Sequence, residues 1–336
     1  TRKELKDLIQ RQRILVATVA AIAGKPELLE LKAFDRVLID EASQIPEPML
    51  AGFLPRFRHF LLIGDHKQLP AVVVQDESAS SVEDEALQEL GIQNLRNSLF
   101  ERLYKRCQAQ HWHWAYAQLS HQGRMHQEVM EFPNRLFYEG QLQILPESSL
   151  GRLPQIRQEV LSVPEQDLPP ALRLLAASRM VFLPTPSDEN GPMQKTNRYE
   201  AQVAGKLVAA YQQLYALAGK AFHPNSLGII TPYRAQIAQI RHTLEETGLD
   251  PDAITIDTVE RYQGGARDII LLSLCTNSVT QLRALVSLSE EGIDRKLNVA
   301  LTRARESVVI LGNPDLLERN PIYKALISAC ATFDFP

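Results

Sequence analysis

Short apolar runs alternate with amphipathic stretches along most of the chain. The runs that predict strands lie at 14–18, 37–40, 60–64, 115–119, 180–183, 227–231, 254–257, 269–274 and 308–312. Helices between strands are typical of parallel sheets, because a parallel connection must cross back over a face of the sheet. The pattern therefore predicts an α/β fold with largely parallel sheets, and a second α/β unit that begins near Ala115.

Two predicted helices carry clear signals at their ends. Asn197, with Glu200 three residues later, predicts the start of a helix that stops near Gly219. A second helix is predicted over 234–248, where apolar residues share one face. Residues 145–178 contain several prolines and show little periodicity, so they predict a surface connection.

Composition and charge exclude several classes of protein. The net charge of −4 excludes a globally basic nucleic-acid binder, so local basic strips would have to carry any phosphate contacts. Cys107, Cys275 and Cys330 lie far apart, which argues against a zinc site or a disulfide framework. No signal peptide and no membrane-spanning apolar run is present, so we expect an intracellular protein without a membrane partner.

Acid and amide side chains follow two neighbouring apolar runs. Asp40 and Glu41 come directly after the run at 37–39, and Gln68 follows the run at 60–63. In a phosphohydrolase one carboxylate holds Mg²⁺ and the next polarises the attacking water, while an amide can contact phosphate and water together. A bare Asp-Glu pair is more often an ordinary acidic strand end, and a lone glutamine more often bonds to loop backbone.

The phosphate-binding loop of such a site is missing from this sequence. That loop needs Gly-x-x-x-x-Gly-Lys followed by Ser or Thr. The Gly-Lys pairs at 24–25, 205–206 and 219–220 are followed by Pro, Leu and Ala, and none has a glycine five residues earlier. The chain thus predicts the metal end of a nucleotide site without its phosphate cradle, and we expect it to be part of a longer polypeptide.

Arginines and hydroxyl residues near other strand ends are further candidates. Arg124 lies in the segment 122–126, and Arg303 and Arg305 lie in 297–305. A guanidinium stays charged and can donate two parallel hydrogen bonds to the oxygens of one phosphate. The alternative is an ordinary surface or salt-bridge residue, which is what a single arginine more often is. Strand-end residues that could grip a nucleic-acid strand are Thr18, Tyr233, Arg234 and Thr258. Helix capping and core packing are the alternatives.

The segment His111-Trp112-His113-Trp114 stands out by composition. Its alternation predicts a strand with two different faces. No carboxylate or cysteine lies at an interval that suits a metal site, so we assign it no metal.

In chain order, the candidate segments resemble the motifs of the superfamily 1 helicases, most closely the Upf1-like (Upf1/Dna2-type) branch. The matching segments are 14–18, Asp40–Gln44 (Walker B), Gly64–Pro70 (motif III), Gln122–His126, Ile229–Gln236, Ile256–Asp268 (motif V) and Leu297–Arg305 (motif VI). Each motif alone is a weak signal, but their occurrence in the same order as in the family is a specific one.

The resemblance implies two RecA-like domains that bind ATP between them and a single strand of DNA or RNA. Residues 1–114 would be the C-terminal part of the first domain, 115–320 the second domain, and 321–336 a C-terminal tail. By matched position, the residues implied in catalysis are Asp40 (which would also hold Mg²⁺), Glu41, Gln68, Arg124 and Arg303. Those implied around the nucleotide are Asp40, Gln122, Gly264 and Arg305. Those implied at the nucleic acid are Thr18, Tyr233, Arg234 and Thr258.

Two departures from the family pattern bear on specificity. Gly123 stands where the family often has an aromatic residue, and Ala266 where it often has a glutamate near the ribose. We therefore expect loose recognition of base and sugar, which comparable turnover of several nucleoside triphosphates would support. The rival interpretation is a helicase-like module that binds strands or partners without hydrolysing ATP.

Overall fold

The computed structural model describes residues 2–76, 78–146, 161, 163, 168–188 and 194–335. The chain forms two compact units, Thr1–Gln118 and Leu119–Pro336. The division falls four residues after the domain boundary that the sequence predicts. Each unit is a separate body with its own sheet and core.

The first unit combines short helices with a two-stranded parallel sheet. Its elements are α1 (Arg2–Arg11), α2 (Val19–Gly24), α3 (Leu28–Leu31), β1 (Arg36–Ile39), α4 (Glu47–Ala51), β2 (His59–Leu62), α5 (Glu85–Glu89) and α6 (Leu99–Ala109). Ile39 and Leu62 pack into a core with Leu50 and Leu99. This core fixes the ends of β1 and β2, where the acidic and amide candidates lie.

One face of this small sheet lacks a covering layer among the described residues. Leu38, Leu61 and Ile63 are 66%, 53% and 42% exposed. Parallel sheets are normally covered on both faces, because their strands are apolar on both sides. Apolar exposure on this scale marks a surface that another element can cover.

The second unit contains a six-stranded parallel sheet in the order β10-β5-β9-β8-β6-β7. Its strands, with a separate short pair, are β3 (His121–Gln122), β4 (Gln143–Ile144), β5 (Met180–Pro184), β6 (Leu227–Ile230), β7 (Thr255–Asp257), β8 (Arg267–Ser273), β9 (Ala304–Gly312) and β10 (Ala331–Thr332). Its helices are α7 (Gln127–Phe137), α8 (Pro170–Ala177), α9 (Arg198–Leu217), α10 (Arg234–Glu246), α11 (Val259–Tyr262), α12 (Val279–Leu285), α13 (Arg295–Thr302), α14 (Pro314–Leu317) and α15 (Pro321–Ser328).

The predicted fold class is confirmed: both units are α/β with parallel sheets. The two predicted helices are also confirmed. Asn197 caps α9 by accepting a hydrogen bond from the Glu200 N–H at 3.0 Å. The chain leaves α9 and α10 through Gly219 and Gly248, whose positive φ angles of 66° and 75° suit glycine.

Two of the apolar runs that predict strands form none. Residues 14–18 are unpaired, and Ile14 and Val16 are 79% and 89% exposed. An apolar run becomes a strand only when a neighbouring strand accepts its backbone hydrogen bonds, and the described residues of this unit provide none here. Residues 115–119 likewise form no strand. The nearest β-pairing begins at His121, two residues after the predicted run, where β3 pairs with β4.

The predicted surface connection over 145–178 is wrong at its end. Residues 170–177 form α8, and Leu172 and Leu175 belong to the core of the second unit. Residues 147–160, 162 and 164–167 lie outside the described residues. The segment 321–336, expected as a tail, contributes α15 and the edge strand β10, which pairs with β5.

A buried polar network lies at the start of α9. Glu200 is fully buried, and its Oε2 accepts hydrogen bonds from the Ser273 hydroxyl at 2.7 Å and the Cys275 N–H at 2.9 Å. Gln236 Nε2 donates to Ser273 Oγ at 3.1 Å. Burial raises the pKa of Glu200 from 4.5 to about 7, and its hydrogen bonds only partly oppose that shift.

The stability of the chain should therefore depend on Glu200 between about pH 5 and pH 7. The pKa of Glu200 in the folded chain lies above its pKa in the unfolded chain. Glu200 therefore makes its full favourable contribution to the free energy of unfolding below the unfolded pKa, and this contribution is lost as pH rises through the folded pKa. The shift corresponds to about 3 kcal/mol at high pH. We expect Glu200→Gln to gain stability relative to the parent as pH rises, measured by urea unfolding from pH 5 to 8. An identical pH dependence in both proteins would contradict this.

Candidate functional site

The carboxyl ends of β1 and β2 form the first part of the candidate site. Asp40 follows β1 directly, and Glu41 comes next with a φ of 52°. A non-glycine residue in this left-handed conformation is strained, and such strain concentrates at functional turns. The Glu41 N–H donates to Asp40 Oδ1 at 3.0 Å, and Gln44 Nε2 donates to Glu41 Oε2 at 2.5 Å. Both carboxylates are exposed and can reach a ligand.

Gly64 allows the two strand ends to approach each other. The Ala42 N–H donates to the Ile63 carbonyl at 2.8 Å, and the Asp65 N–H donates to Ser43 Oγ at 3.3 Å. A Cβ atom at Gly64 would lie 2.9 Å from the Ser43 nitrogen, which is closer than real Cβ atoms come. The contact therefore requires glycine.

Gln68 is held beside this turn by Asp65. Its Nε2 donates to Asp65 Oδ2 at 2.8 Å, and the Lys67 N–H donates to Asp65 Oδ1 at 2.9 Å. Asp65 thus orients the amide, a role that the sequence pattern did not reveal. We call Asp40, Glu41 and Gln68 the carboxylate array, because one pair of strand ends carries all of them.

Substituting Gly64 should disturb this array. We expect Gly64→Ala to lower the free energy of unfolding by about 1–3 kcal/mol, because the added methyl group pushes against backbone rather than a movable side chain. Urea unfolding measures the effect. Gly52→Ala is the matched control, since no atom lies within 4 Å of a Cβ there and its φ is −68°. Equal stability of the two variants would refute the steric argument.

Gln122 and Arg124 lie in the loop after β3 in the second unit. Gln122 Oε1 accepts from the N–H groups of Arg124 and Met125 at 2.9 Å and 2.7 Å, so this side chain shapes the loop. Arg124 Nη1 donates to the Thr302 carbonyl at 3.2 Å. Residues 178 positions apart are thereby brought together.

Arg303 and Arg305 lie where α13 passes into β9. The Arg303 side chain is only 2% exposed, and its Nη2 donates to Thr302 Oγ1 at 3.2 Å. Its Nη1 is 3.5 Å from the Gly265 carbonyl. Arg305 Nη1 pairs with Asp268 Oδ1 at 3.0 Å and is partly exposed. Arg124, Arg303 and Arg305 form the arginine array.

The predicted nucleic-acid residues of the second unit lie at the ends of neighbouring strands β6 and β7. Tyr233 precedes α10, and Arg234, its first residue, is exposed. The Tyr233 ring is half-buried, which raises its pKa, and Lys195 Nζ lies 5.6 Å from the ring centroid. Thr258 follows β7, and its N–H donates to Asp257 Oδ1 at 2.8 Å. Gly264, with a φ of 81°, follows α11 and is exposed.

Thr18 lies in the first unit and caps α2. Its Oγ1 accepts from the Ala21 N–H at 3.1 Å, which is the capping alternative that the sequence left open. The structure therefore brings the candidates together as two sets within their own units, one acidic and one basic. The assignments of individual residues to nucleotide or nucleic acid stay predictions.

The donor set of the carboxylate array fits Mg²⁺. Carboxylate and amide oxygens are the hard ligands that this ion prefers, and it usually takes only one or two carboxylates besides water and phosphate. Within the described residues no cluster of three or more His, Cys, Asp or Glu side chains could hold a metal by itself. The array itself offers the carboxylates of Asp40 and Glu41 and the amide oxygen of Gln68.

No helix among the described residues is long and apolar enough to cross a membrane.

Comparison with known proteins gives consistent matches along the chain. A family model described as an AAA domain matches residues 95–315, and another with the same description matches residues 1–76. The DNA replication ATP-dependent helicase/nuclease DNA2 of Xenopus laevis is 30% identical over 99% of this chain and 30% of its own length. The regulator of nonsense transcripts 1 homolog of Neurospora crassa is 30% identical over 97% of this chain and 27% of its own.

An ATP-dependent helicase of Methanocaldococcus jannaschii is 28% identical over 97% of this chain and 43% of its own length. An arterivirus nonstructural protein 10 helicase, solved with DNA, aligns over 85% of this chain and 42% of its own with 14% identity and a TM-score of 0.36. The chain spans less than half the length of the curated relatives named here. With the ordered motifs and the parallel α/β units, the family models and the curated relatives show that the chain belongs to the Upf1-like branch of the superfamily 1 helicases.

Proposed function

We propose that this chain is the part of an ATP-driven helicase that activates water, stabilises the transferred phosphate and grips a single nucleic-acid strand. The observation that carries the proposal is the carboxylate array. Asp40 and Glu41 are exposed at the end of β1, and Asp65 orients Gln68 in the loop that follows the neighbouring strand β2. Such strand ends are where ligands bind in open parallel sheets.

Each residue of the array has a specific role in this proposal. Asp40 would hold Mg²⁺, which would supply positive charge at the phosphates. Glu41 accepts a proton from the attacking water, and Gln68 contacts the terminal phosphate and that water. The turn at Glu41 supports the assignment, because strained backbone concentrates at functional turns and both carboxylates there are exposed.

The arginine array supplies the positive charge. The guanidinium groups of Arg124 and Arg303 are positively charged, and each can donate two N–H groups to the oxygens of a phosphate. The backbone carbonyls of Thr302 and Gly265 accept hydrogen bonds from Arg124 and Arg303, respectively. Gln122, Gly264 and Arg305 contact the nucleotide in this proposal, and the two arrays act on one ATP molecule.

The nucleic-acid strand is DNA or RNA, held at Thr18, Tyr233, Arg234 and Thr258. Tyr233, Arg234 and Thr258 lie between the end of a β-strand and the start of a helix. This position supports the proposal, because backbone amides and hydroxyls at such places bind phosphates. ATP-dependent changes in grip would then move the protein along the strand and open a duplex.

The phosphate-binding loop comes from a preceding part of the same polypeptide in this proposal. The uncovered face of β1 and β2 supports it, since Leu38, Leu61 and Ile63 offer an apolar surface for further strands or helices. The relatives also extend well beyond the matched region.

The test is the ATPase activity of an N-terminally extended protein with and without single-stranded nucleic acid. We expect stimulated hydrolysis from the extended protein and none from the 336-residue chain alone. Strand binding by an extended protein that contains the phosphate-binding loop but never hydrolyses ATP would favour the rival, inactive module. Brisk hydrolysis by the short chain would show that the loop is not needed.

A further inference from the structure

The chain has a group of exposed and half-buried aromatic side chains at the end of the first unit, outside the residues that the proposed function uses. The group surrounds the turn after α6. Its members, called the aromatic patch, are His66, Tyr104, His111, Trp112, His113, Trp114 and Tyr116.

The rings of the aromatic patch form two sets of neighbours: one runs from His66 through Tyr104 and Tyr116 to His113, and the other consists of Trp112 and Trp114. The centroid of Tyr104 lies 4.9 Å from that of His66 and 5.2 Å from that of Tyr116. His113 Nδ1 lies 3.0 Å from the Tyr116 hydroxyl. The Trp112 and Trp114 rings are 6.5 Å apart with an interplanar angle of 35°. Through His66 the patch reaches the segment that carries Gln68.

The backbone fixes the tryptophans in place. The chain turns at His111, whose φ is 56°, and the Trp112 N–H donates to the Cys107 carbonyl at 2.8 Å. The Ala115 N–H then donates to the Trp112 carbonyl at 3.0 Å. This turn replaces the two-faced strand that the alternation predicts. It presents the rings from a fixed backbone, which lowers the entropic cost of binding a ligand.

Both tryptophans are accessible to solvent. Trp114 is 85% exposed and Trp112 is 40% exposed. Large aromatic side chains usually bury most of their area, so exposure of both is unusual for packing residues. An exposed, preformed aromatic surface is the kind on which a planar ligand stacks.

The charge around the patch selects the ligand. No Asp or Glu occurs from residue 102 to 118 of the first unit. Of the three cationic side chains there, Arg102 pairs with Glu47 and Lys105 pairs with Glu101 at 3.0 Å, so the cation that faces a ligand is Arg106. The rest of the chain is net acidic. Arg106 is exposed, and no carboxylate among the described residues pairs with it. The ligand is therefore planar and anionic.

We propose that the aromatic patch is a stacking site for unpaired bases of single-stranded nucleic acid, with Trp114 as its outer platform. Aromatic rings combined with positive charge are the usual means of binding single strands without reading sequence. The inference takes its ligand class from the proposed function. It adds a contact on the first unit that is separate from Thr18 and from the strand ends of the second unit.

Tryptophan fluorescence provides a direct test, because Trp112 and Trp114 are the only tryptophans of the chain. A DNA or RNA oligonucleotide of mixed sequence should quench the emission as its bases stack on the rings. A strand of equal length with abasic sites, which keeps the phosphates, should not quench. Neither should a blunt duplex, whose bases are already stacked. Equal quenching by the abasic strand would overturn the proposal.

Substitutions test the contribution to affinity. Trp114→Ala should weaken binding of the mixed oligonucleotide by about 5- to 100-fold, measured by fluorescence anisotropy of a labelled strand. Trp114→Phe is the matched control, because it keeps a ring that can stack, and it should stay within a few fold of the parent. Since Trp114 is exposed, thermal melting should be the same for all these proteins. A phenylalanine variant as weak as the alanine variant would refute stacking.

The outcomes separate this inference from the proposed function. Quenching by single strands in a protein whose extended form never hydrolyses ATP would support the patch and count against the helicase. Strand binding and stimulated hydrolysis without quenching would support the helicase and overturn the patch. Emission typical of buried tryptophan in the free chain would show that protein covers the patch, and would also overturn the inference.

Discussion

Replacing Arg303 by alanine in the N-terminally extended protein is expected to lower nucleic-acid-stimulated ATP hydrolysis by about a thousandfold or more. The guanidinium would stabilise charge that develops on the transferred phosphate, and removal of such a group costs much more in turnover than in binding. The rate of phosphate release at saturating ATP and nucleic acid measures the effect.

Arg303 is nearly buried, so its loss could also act through folding. Arg303→Lys keeps a charge but loses the paired donors, and should fall between the parent and the alanine variant if phosphate contact is the cause. Arg319→Ala removes an exposed arginine from the same unit and should leave the rate unchanged. A normal rate in Arg303→Ala, with unaltered melting, would show that the arginine assignment is wrong.

The sequence predicted the second unit well because its strands are continuous apolar runs. The runs at 227–231, 269–274 and 308–312 became β6, β8 and β9, which are buried on both faces. In a parallel sheet that is covered on both faces, every residue of a central strand is buried, so a continuous apolar run predicts the strand and its burial together. The capped start of α9 was equally clear, since Asn197 uses its side chain as the pattern requires.

The failures share a different cause. The runs at 14–18 and 115–119 have the composition of strands, but pairing depends on a neighbour that local pattern does not reveal. The exposed face of the small sheet at Leu38 and Leu61 is a second example, because its apolar residues are buried only if another element packs on them. The first unit is therefore predictable in its strand ends and less so in the elements around them.

Within the candidate site, the sequence predicted candidate reactive groups but not the residues that position them. Asp65, Ser43 and the close approach at Gly64 follow from three-dimensional contacts between two strand ends. The glycine and the aspartate directly after β2 were the available signal, since short strand-end residues often shape ligand loops. Gln122 shows the converse, because the structure gives it a role in holding its own loop.

Glu41→Gln should have the second large effect, a loss of about 10²- to 10⁴-fold in ATP turnover by the extended protein. The amide has nearly the same shape but cannot take a proton from water. Gln44 Nε2 can still donate to the new carbonyl oxygen, so the turn should survive. Because the side chain is exposed, the free energy of unfolding should change little.

Binding and turnover should separate in this variant. Affinities for ATP and for single-stranded nucleic acid should stay within a few fold of the parent, because in the proposed site Asp40 would still hold the metal ion and the arginine array would be intact. Glu83→Gln, at another exposed carboxylate of the same unit, is the matched control and should hydrolyse ATP normally. If Glu41→Gln kept full turnover, the water would be activated elsewhere. If it instead lost nucleotide binding, Glu41 would act in holding the ligand, and the division of labour between the two carboxylates would have to be reversed.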